Sequence, residues 1–157
     1  MRQAEREIKN TDELEDILQK CDTCRLALSD DGQPYIVPLN FGYQLNDGQL
    51  TLYFHCAAAG RKLDIISRNS RACFEMDCSH QLLTGELACQ YTMNFESIIG
   101  SGPVETVSDP GEKTAGLNAL MRHYSGRADW SFDPHALAKT TVLQLKAVEF
   151  RGKRLNK

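Results

Sequence analysis

The chain has 157 residues, 41% hydrophobic and 25% charged, with a net charge of −3, the balance of a single globular domain with its own core. That charge gives no general attraction to nucleic acid or to an anionic membrane, so any site for an anion has to be local. No apolar run reaches the roughly 18 residues that span a bilayer, and the opening Met1-Arg2-Gln3-Ala4-Glu5-Arg6-Glu7 has no apolar signal region, so a cytoplasmic location off the membrane is expected.

The first predicted element is a helix over Thr11–Lys20, capped by Asn10 or Thr11, with Asp12 and Glu13 in its first turn. Leu14, Ile17, Leu18 and Cys21 fall on one of its faces. Strand signals follow: a short apolar Arg25–Ser29, a turn at Asp30-Asp31-Gly32, then Gln33–Tyr43. Pro34 and Pro38 lie inside that second run, which makes it an edge, a bulge, or a place where backbone faces a ligand. Asn46-Asp47-Gly48 is a hairpin turn into a strand over Gln49–His55, and a helix is expected from Gly60 to about Asn69 with Leu63 and Ile66 inward.

Arg71–Cys78 alternates, with Ala72, Phe74, Met76 and Cys78 on one face. Ser79–Ala88 reads as a loop, and Gln90–Ile99 and Pro103–Val107 as two strands with Gly100 and Gly102 kinking the sheet between them. Asp109-Pro110-Gly111-Glu112 opens a helix whose expected inner stripe is Leu117, Leu120, Met121 and Tyr124, stopped by Gly126. Asp133-Pro134 opens a short helix, and Thr140–Phe150 is a last strand. Six or seven strands joined by hairpins and interrupted by two helices predict an antiparallel α+β domain over 1–157, most simply closed as a barrel.

Six cysteines invite a disulfide or zinc reading: Cys21, Cys24, Cys56, Cys73, Cys78 and Cys89. Cys21-Asp22-Thr23-Cys24 has C-x-x-C spacing, but no second such pair follows, so no metal is expected and most thiols read as small buried hydrophobes.

The stretch from Leu52 to Ile66 carries the most chemistry: a strand, the small loop Ala57-Ala58-Ala59, then Gly60-Arg61-Lys62 and a helix. Such a junction suits a phosphate, because the helix start offers unpaired N–H groups and a partial positive charge. Arg61 adds a planar fork of donors and Lys62 a mobile point charge. The plain alternative is a solvated basic turn, since the glycine patterns of the Walker and Rossmann loops are both absent. His55, at the strand end, is close enough to act on whatever the phosphate anchors, or is an ordinary strand-end histidine. Cys56 lies in the same site.

Taken together, P-Y-I-V-P-L-N-F-G-Y at 34–43, L-Y-F-H-C-A-A-A-G-R-K-L-D at 52–64, A-C-F-E-M-D at 72–77, F-E-S-I-I-G at 95–100 and R-G-K at 151–153 resemble the FMN-binding split barrels related to pyridoxamine 5′-phosphate oxidase. Within that group the chain looks most like the 5-nitroimidazole-resistance (Nim) branch. The resemblance implies a six-stranded split barrel with flanking helices, assembled as a homodimer with one FMN at each of two interface clefts. It implies that Gly60, Arg61 and Lys62 bind the FMN phosphate and that the backbone of Pro38, Leu39, Asn40 and Phe41 runs along the isoalloxazine ring. Tyr53, Phe54 and His55 would lie on the strand facing the flavin, with His55 near the substrate, and Ser97 in the segment that a partner subunit contributes.

These residues suit FMN, whose dianionic phosphate needs a donor cluster and whose apolar ring needs a flat wall. On their own, Pro38–Phe41 read as an edge strand with a bulge, Ser97 and Tyr91 as plain strand residues, and Trp130 as core or as a cover for the ring. The chain departs from its look-alikes at Cys56, where small residues are common, and at Gly100-Ser101-Gly102-Pro103. The tail 150–157 has no match to the arginine-rich clamp of the pyridoxamine-phosphate oxidases, so oxidation of that vitamer is not expected. The expected function is an FMN-dependent reductase that takes electrons from NAD(P)H and passes them to a small acceptor such as a nitro-aromatic compound. The alternatives are a non-catalytic FMN-binding store or sensor, one that binds haem through His55 instead, and a deazaflavin-using reductase.

Overall fold

The computed structural model describes residues 4–156. Local sequence sets the helix starts. Asn10 caps α1 (Thr11–Lys20) by accepting from the Asp12 and Glu13 N–H groups at 2.8 and 3.2 Å. Asp109 caps α3 (Pro110–Ser125) and Asp133 caps α4 (Pro134–Lys139), each followed by proline in the first turn. Gly126, at φ 72°, ends α3 as the spacing predicts. The exception is α2 (Arg61–Arg68), whose N-cap is Gly60 with no side chain to cap it. No described helix is long and apolar enough to cross a membrane.

Among the described residues nine strands form, all paired antiparallel: β1 (Glu7–Ile8), β2 (Cys24–Asp30), β3 (Gln33–Leu39), β4 (Gly42–Asn46), β5 (Gln49–Ala57), β6 (Arg71–Leu83), β7 (Thr92–Val107), β8 (Thr140–Lys146) and β9 (Glu149–Leu155). The hairpins β2–β3 and β4–β5 turn at Asp31-Gly32 and Asp47-Gly48, all four residues at positive φ, the geometry that twists with the strands. The strand order is β3-β2-β6-β7-β8-β5-β4, with β9 also on β7 and β1 on β9. β7 is the shared member. Its residues 95–101 pair with β9 and its residues 104–107 with β8, while β6 pairs along 92–103. The domain is therefore the expected α+β, mainly β, split barrel.

The strand count exceeds six or seven because two expected strands are divided and a short one is added, while the two expected over 90–99 and 103–107 join as β7. Gln33–Tyr43 breaks at Asn40-Phe41, where the chain leaves β3 at one end of the strand order and enters β4 at the other. Both prolines lie on β3, an edge strand, where a missing N–H costs least. Thr140–Phe150 breaks at Ala147-Val148, whose N–H groups donate to Leu50 O and Ser101 O, both at about 2.8–2.9 Å. Conversely, the expected loop over Ser79–Ala88 is partly strand. β6 continues to Leu83 through a bulge between Cys78 and Gln81, with Ser79 at φ 57°. Gly100 and Gly102 do not interrupt β7; they lie where it passes from β9 to β8.

Alternation fills the barrel. Leu26, Leu50, Leu52, Phe54, Phe74, Met76, Ile98, Leu143 and Leu145 are all buried in one cluster that also takes Phe41. A second, smaller cluster joins Tyr53 and Val142 to Ala119 and Leu120 of α3. The buried face of α3 is Gly116, Ala119 and Leu120, rotated from the expected stripe. The reason is close approach: a Cβ on Gly42 would land on the Ala119–Leu120 backbone, and one on Gly116 would lie 2.8 Å from Tyr53 Cδ1. Small residues thus let the helix settle onto β4 and β5. Tyr124, expected inside, is 45% exposed. Its hydroxyl accepts from the Phe41 N–H at 3.0 Å and donates to Asp22 O at 2.7 Å, fastening the β3–β4 crossing.

Candidate functional site

β5 sorts three of the candidate residues by its period of two. Phe54 points into the barrel and is fully buried, whereas Tyr53 and His55 share the opposite face. Tyr53 is covered by α3, and its hydroxyl bonds Gln44 Oε1 at 3.1 Å and accepts from Gln144 Nε2 at 3.2 Å. His55, opposite Val142 of β8, is exposed. Any part that Phe54 or the buried Phe41 plays toward a ligand is therefore played by backbone.

The end of β5 leads into the Gly60 turn. Gly60 has φ 150°, and a Cβ there would meet nothing within 4 Å, so the approach to the start of α2 is open. The Leu63 and Asp64 N–H groups close onto Gly60 O at 2.9 and 3.2 Å. The N–H groups of Arg61 and Lys62, which precede them in the same first turn, have no acceptor within the helix. Lys62 is half-buried, and its charge reaches the Cys56 thiol. Burial nevertheless pushes that thiol up, so Cys56 is protonated at neutral pH.

Arg61 already has an anion. Its Nε and Nη2 lie 3.3 and 3.1 Å from Asp30 Oδ2, at the end of β2, and its guanidinium lies 4.9 Å over the Tyr35 ring. Arg68 Nη2 takes the other oxygen, Oδ1, at 2.6 Å. Arg61, with help from Arg68, holds the Asp30 carboxyl below the usual carboxylate range. Asp30 gave no signal in the sequence, being 31 residues from Arg61 and read as part of a turn.

Pro38 and Asn40 are exposed and Leu39 half-buried. Pro38 pairs with Arg25, at the end of the β2–β3 hairpin away from Asp30. From Tyr35, under Arg61, to Pro38 is three residues of strand, about 10 Å.

Ser97 lies elsewhere. It lines a groove of about 520 Å³ on the outer sheet face with Cys73, Ile99, Phe150, Arg151 and Lys153, a set that excludes Gly60, Arg61 and Lys62. An adjoining groove of about 690 Å³ shares Cys73 and Ser101 with it and reaches Ala27 and Val148. Ile36, Ile99 and Val148 are 63, 58 and 80% exposed. The consecutive Ile98 and Ile99 were the sequence sign of a strand apolar on both faces.

Trp130 is not core. It is 38% exposed and closes its own loop, with Nε1–H donating to Arg127 O at 3.2 Å and the Arg127 guanidinium 4.6 Å over its ring. Tyr91 is 50% exposed. Among the described residues no group of three or more His, Cys, Asp or Glu side chains could hold a metal ion.

A second polar cluster escaped the sequence altogether. Glu96, 7% exposed on β7, accepts from Arg154 Nε at 2.5 Å, Ser79 Oγ at 2.8 Å and Lys20 Nζ at 3.1 Å. These residues line a cavity of about 240 Å³. Burial alone would raise the Glu96 carboxyl, but the bonds from Ser79, Arg154 and Lys20 outweigh it and hold the group below the usual range. A depressed carboxyl stabilises the fold above its unfolded value, about 4.3, and that stability is lost as pH falls toward the folded value. Glu96→Gln is therefore expected to destabilise at pH 7 and to flatten the loss of stability below about pH 4.3. Urea midpoints measured across that range check this.

The family profile of pyridoxamine 5′-phosphate oxidase matches residues 10–154. No curated protein sequence matches the chain at a significant level. Among solved structures, a protein provisionally assigned to 5-nitroimidazole antibiotic resistance, from Bacteroides thetaiotaomicron VPI-5482, is 33% identical with a TM-score of 0.81, over 94% of this chain and 86% of that one. An FAD and heme binding protein from Mycobacterium smegmatis is 20% identical with a TM-score of 0.82, over 97% of this chain and 74% of that one. A flavocytochrome from Azotobacter vinelandii is 19% identical with a TM-score of 0.79, over 100% and 72%. The last two likenesses speak to the fold.

Proposed function

The chain belongs to the pyridoxamine 5′-phosphate oxidase family, and from that premise we propose that it is an FMN-dependent oxidoreductase. It takes electrons from NAD(P)H and passes them to a small acceptor such as a nitro-aromatic compound. A bound flavin supplies hydride acceptance and electron transfer; the protein supplies binding, orientation and protons.

The observation that carries this reading is the open start of α2. Gly60 leaves room, the helix end offers N–H donors, and Arg61 and Lys62 stand beside them. Arg61 exchanges its fork from Asp30 to the phosphate, and Arg68 keeps Asp30 neutralised when it does. The backbone of Pro38, Leu39, Asn40 and Phe41 then borders the ring, about 10 Å along β3 from Tyr35, a span for the ribityl chain. Tyr53 and Phe54 hold β5 in place through α3 and the core, so that His55 is presented on a rigid strand. His55 is the proton donor to the acceptor. The 33% identical relative supports the choice of acceptor class, since resistance to a nitroimidazole is named for it.

The protein acts as a homodimer. Its second copy covers the apolar face of Ile36, Ile99 and Val148 and brings Ser97 to the partner's cofactor. Ile99→Asp is expected to convert a dimer to a monomer, read by light scattering after size exclusion. A monomeric wild-type protein would remove the interface.

A second reading, a non-catalytic flavin- or haem-binding protein, draws on the exposure of His55, an imidazole free to ligate. An anaerobic absorbance titration separates them. Flavin bands that bleach with NADH or NADPH and return on adding a nitro-aromatic compound support the reductase. Tight FMN binding without bleaching, or a Soret band in place of flavin bands, supports the second reading.

A further inference from the structure

The outer face of the sheet carries charges that change sign about β7. Ile98 of β7, Phe74 and Met76 of β6 and Gly152 of β9 are buried, so their neighbours along each strand point outward. The registers then set Ile99 between Glu75 and Arg151, and Ser97 between Asp77 and Lys153. On the far side of β6, Arg25 of β2 stands opposite Glu75. On the far side of β9, Glu7 of β1 stands opposite Lys153. In the order β2, β6, β7, β9, β1 the middle of the face is therefore basic, acidic, neutral, basic, acidic.

These charges are not balanced within the chain. The one guanidinium of Arg25 serves both Glu75, at 2.9 Å, and Asp77, at 2.5 Å. His80 Nε2 lies 2.8 Å from Asp77 and adds a full charge only when protonated, so β6 keeps an excess of negative charge. On β9, Arg151 meets Glu7 only at 4.0 Å. Lys153 lies 5.8 Å from the centre of the Phe95 ring and pairs with no carboxylate among the described residues. Glu149, the other outward charge of β9, lies one step further along, beside Ser101. The Arg151 and Lys153 rows keep an excess of positive charge.

Two copies of this face can meet about a two-fold axis in two ways. An axis perpendicular to the strands sets each strand on its own copy, Glu75 against Glu75 and Arg151 against Arg151. An axis along β7 sets β6 on the partner's β9 and β2 on the partner's β1. The rows are kept, so Glu75 meets the partner's Arg151 and Asp77 meets the partner's Lys153, each contact made twice. Facing sheets pack about 10 Å apart, a gap that one acidic and one long basic side chain close together. Ile99, 58% exposed, meets its own copy at the centre.

We propose that the homodimer has its two-fold axis along β7 and is held in register by ion pairs between β6 of one protomer and β9 of the other. The inference rests on the homodimer proposed above and adds its axis and its register. Charge decides between the two arrangements, because the perpendicular axis opposes like charges on both β6 and β9 and the axis along β7 opposes unlike ones.

The test is the dissociation constant of the full-length dimer, read by light scattering over a concentration series at low ionic strength. Glu75→Arg and Arg151→Glu each put two like-charge contacts into the interface, and each is expected to raise that constant by at least about tenfold. The chain carrying both substitutions swaps each pair whole and is expected to recover most of the loss. Glu75→Arg also sets a second guanidinium beside Arg25 within the chain. That repulsion persists in the double variant, so recovery reports the contact between protomers, and circular dichroism checks the fold of each variant. Single variants that dimerise as tightly as the wild type overturn the register and leave the homodimer standing. So does a double variant no tighter than the singles. A wild-type protein that is monomeric at every concentration removes the homodimer itself, and the register with it.

Discussion

Arg61→Ala is expected to weaken FMN binding by about tenfold to a hundredfold, the worth of a charge-assisted hydrogen-bonded pair. Riboflavin, which lacks the phosphate, is expected to bind the variant and the wild type alike. The contrast matters because Arg61 has a structural partner too. Its fork holds Asp30 at 3.1 Å and stacks on Tyr35, so a loss of affinity alone could reflect a loosened β2–α2 contact. That contact is exposed at Arg61, and an exposed pair of this kind is worth little to the fold. Arg68 remains on Asp30 at 2.6 Å in any case. A phosphate-specific loss, measured by fluorescence titration of both ligands, assigns Arg61 to the phosphate. Equal loss for both ligands, or full FMN occupancy in the variant, removes it.

Asp30 also shows where sequence reasoning ends. The hairpins, the helix caps and the α2 junction are local devices, written in Asp31-Gly32, Asp47-Gly48, Asn10, Asp109, Asp133 and Gly60. Each was legible because a few adjacent residues fix the geometry. The division of Gln33–Tyr43 was not. Apolar residues run straight through Leu39-Asn40-Phe41-Gly42, and alternation says which face a residue takes, not which strand it pairs with. The same holds at Ala147-Val148, where the break depends on acceptors at Leu50 and Ser101. The rotation of α3 depends on Gly42 meeting the Ala119–Leu120 backbone, a contact between residues nearly 80 apart. The Glu96 cluster draws on Lys20, Ser79 and Arg154 from three separate elements. Among the candidate residues, Gly60, Arg61, Lys62 and His55 were singled out by type and order. The neighbours of Arg61, Asp30 and Tyr35, and the Arg68 that shares Asp30, needed the fold.

His55→Ala is expected to leave FMN binding unchanged and to slow reduction of the acceptor by about a hundredfold or more, the usual contribution of a positioned general acid. The separation follows from where the residue lies. Its side chain is exposed on the outer face of β5, while the strand itself is fixed by Phe54 in the core and by Tyr53 under α3. Removing an exposed imidazole therefore leaves the scaffold intact, and the change falls on the chemical step. Reduction of a nitro group consumes protons as well as electrons, and an imidazole can donate near neutral pH. In the proposed function, hydride transfer from NAD(P)H to a bound flavin would need no proton from this side chain, so the rate of that half is expected to persist in the variant. Stopped-flow measurement of the two halves makes the distinction. A slowed acceptor half with a normal NAD(P)H half places the proton at His55. His55→Gln, which keeps a polar side chain without the acid, is expected to be as slow as the alanine variant. Unchanged turnover in both variants would take His55 out of the mechanism and leave the proton to solvent.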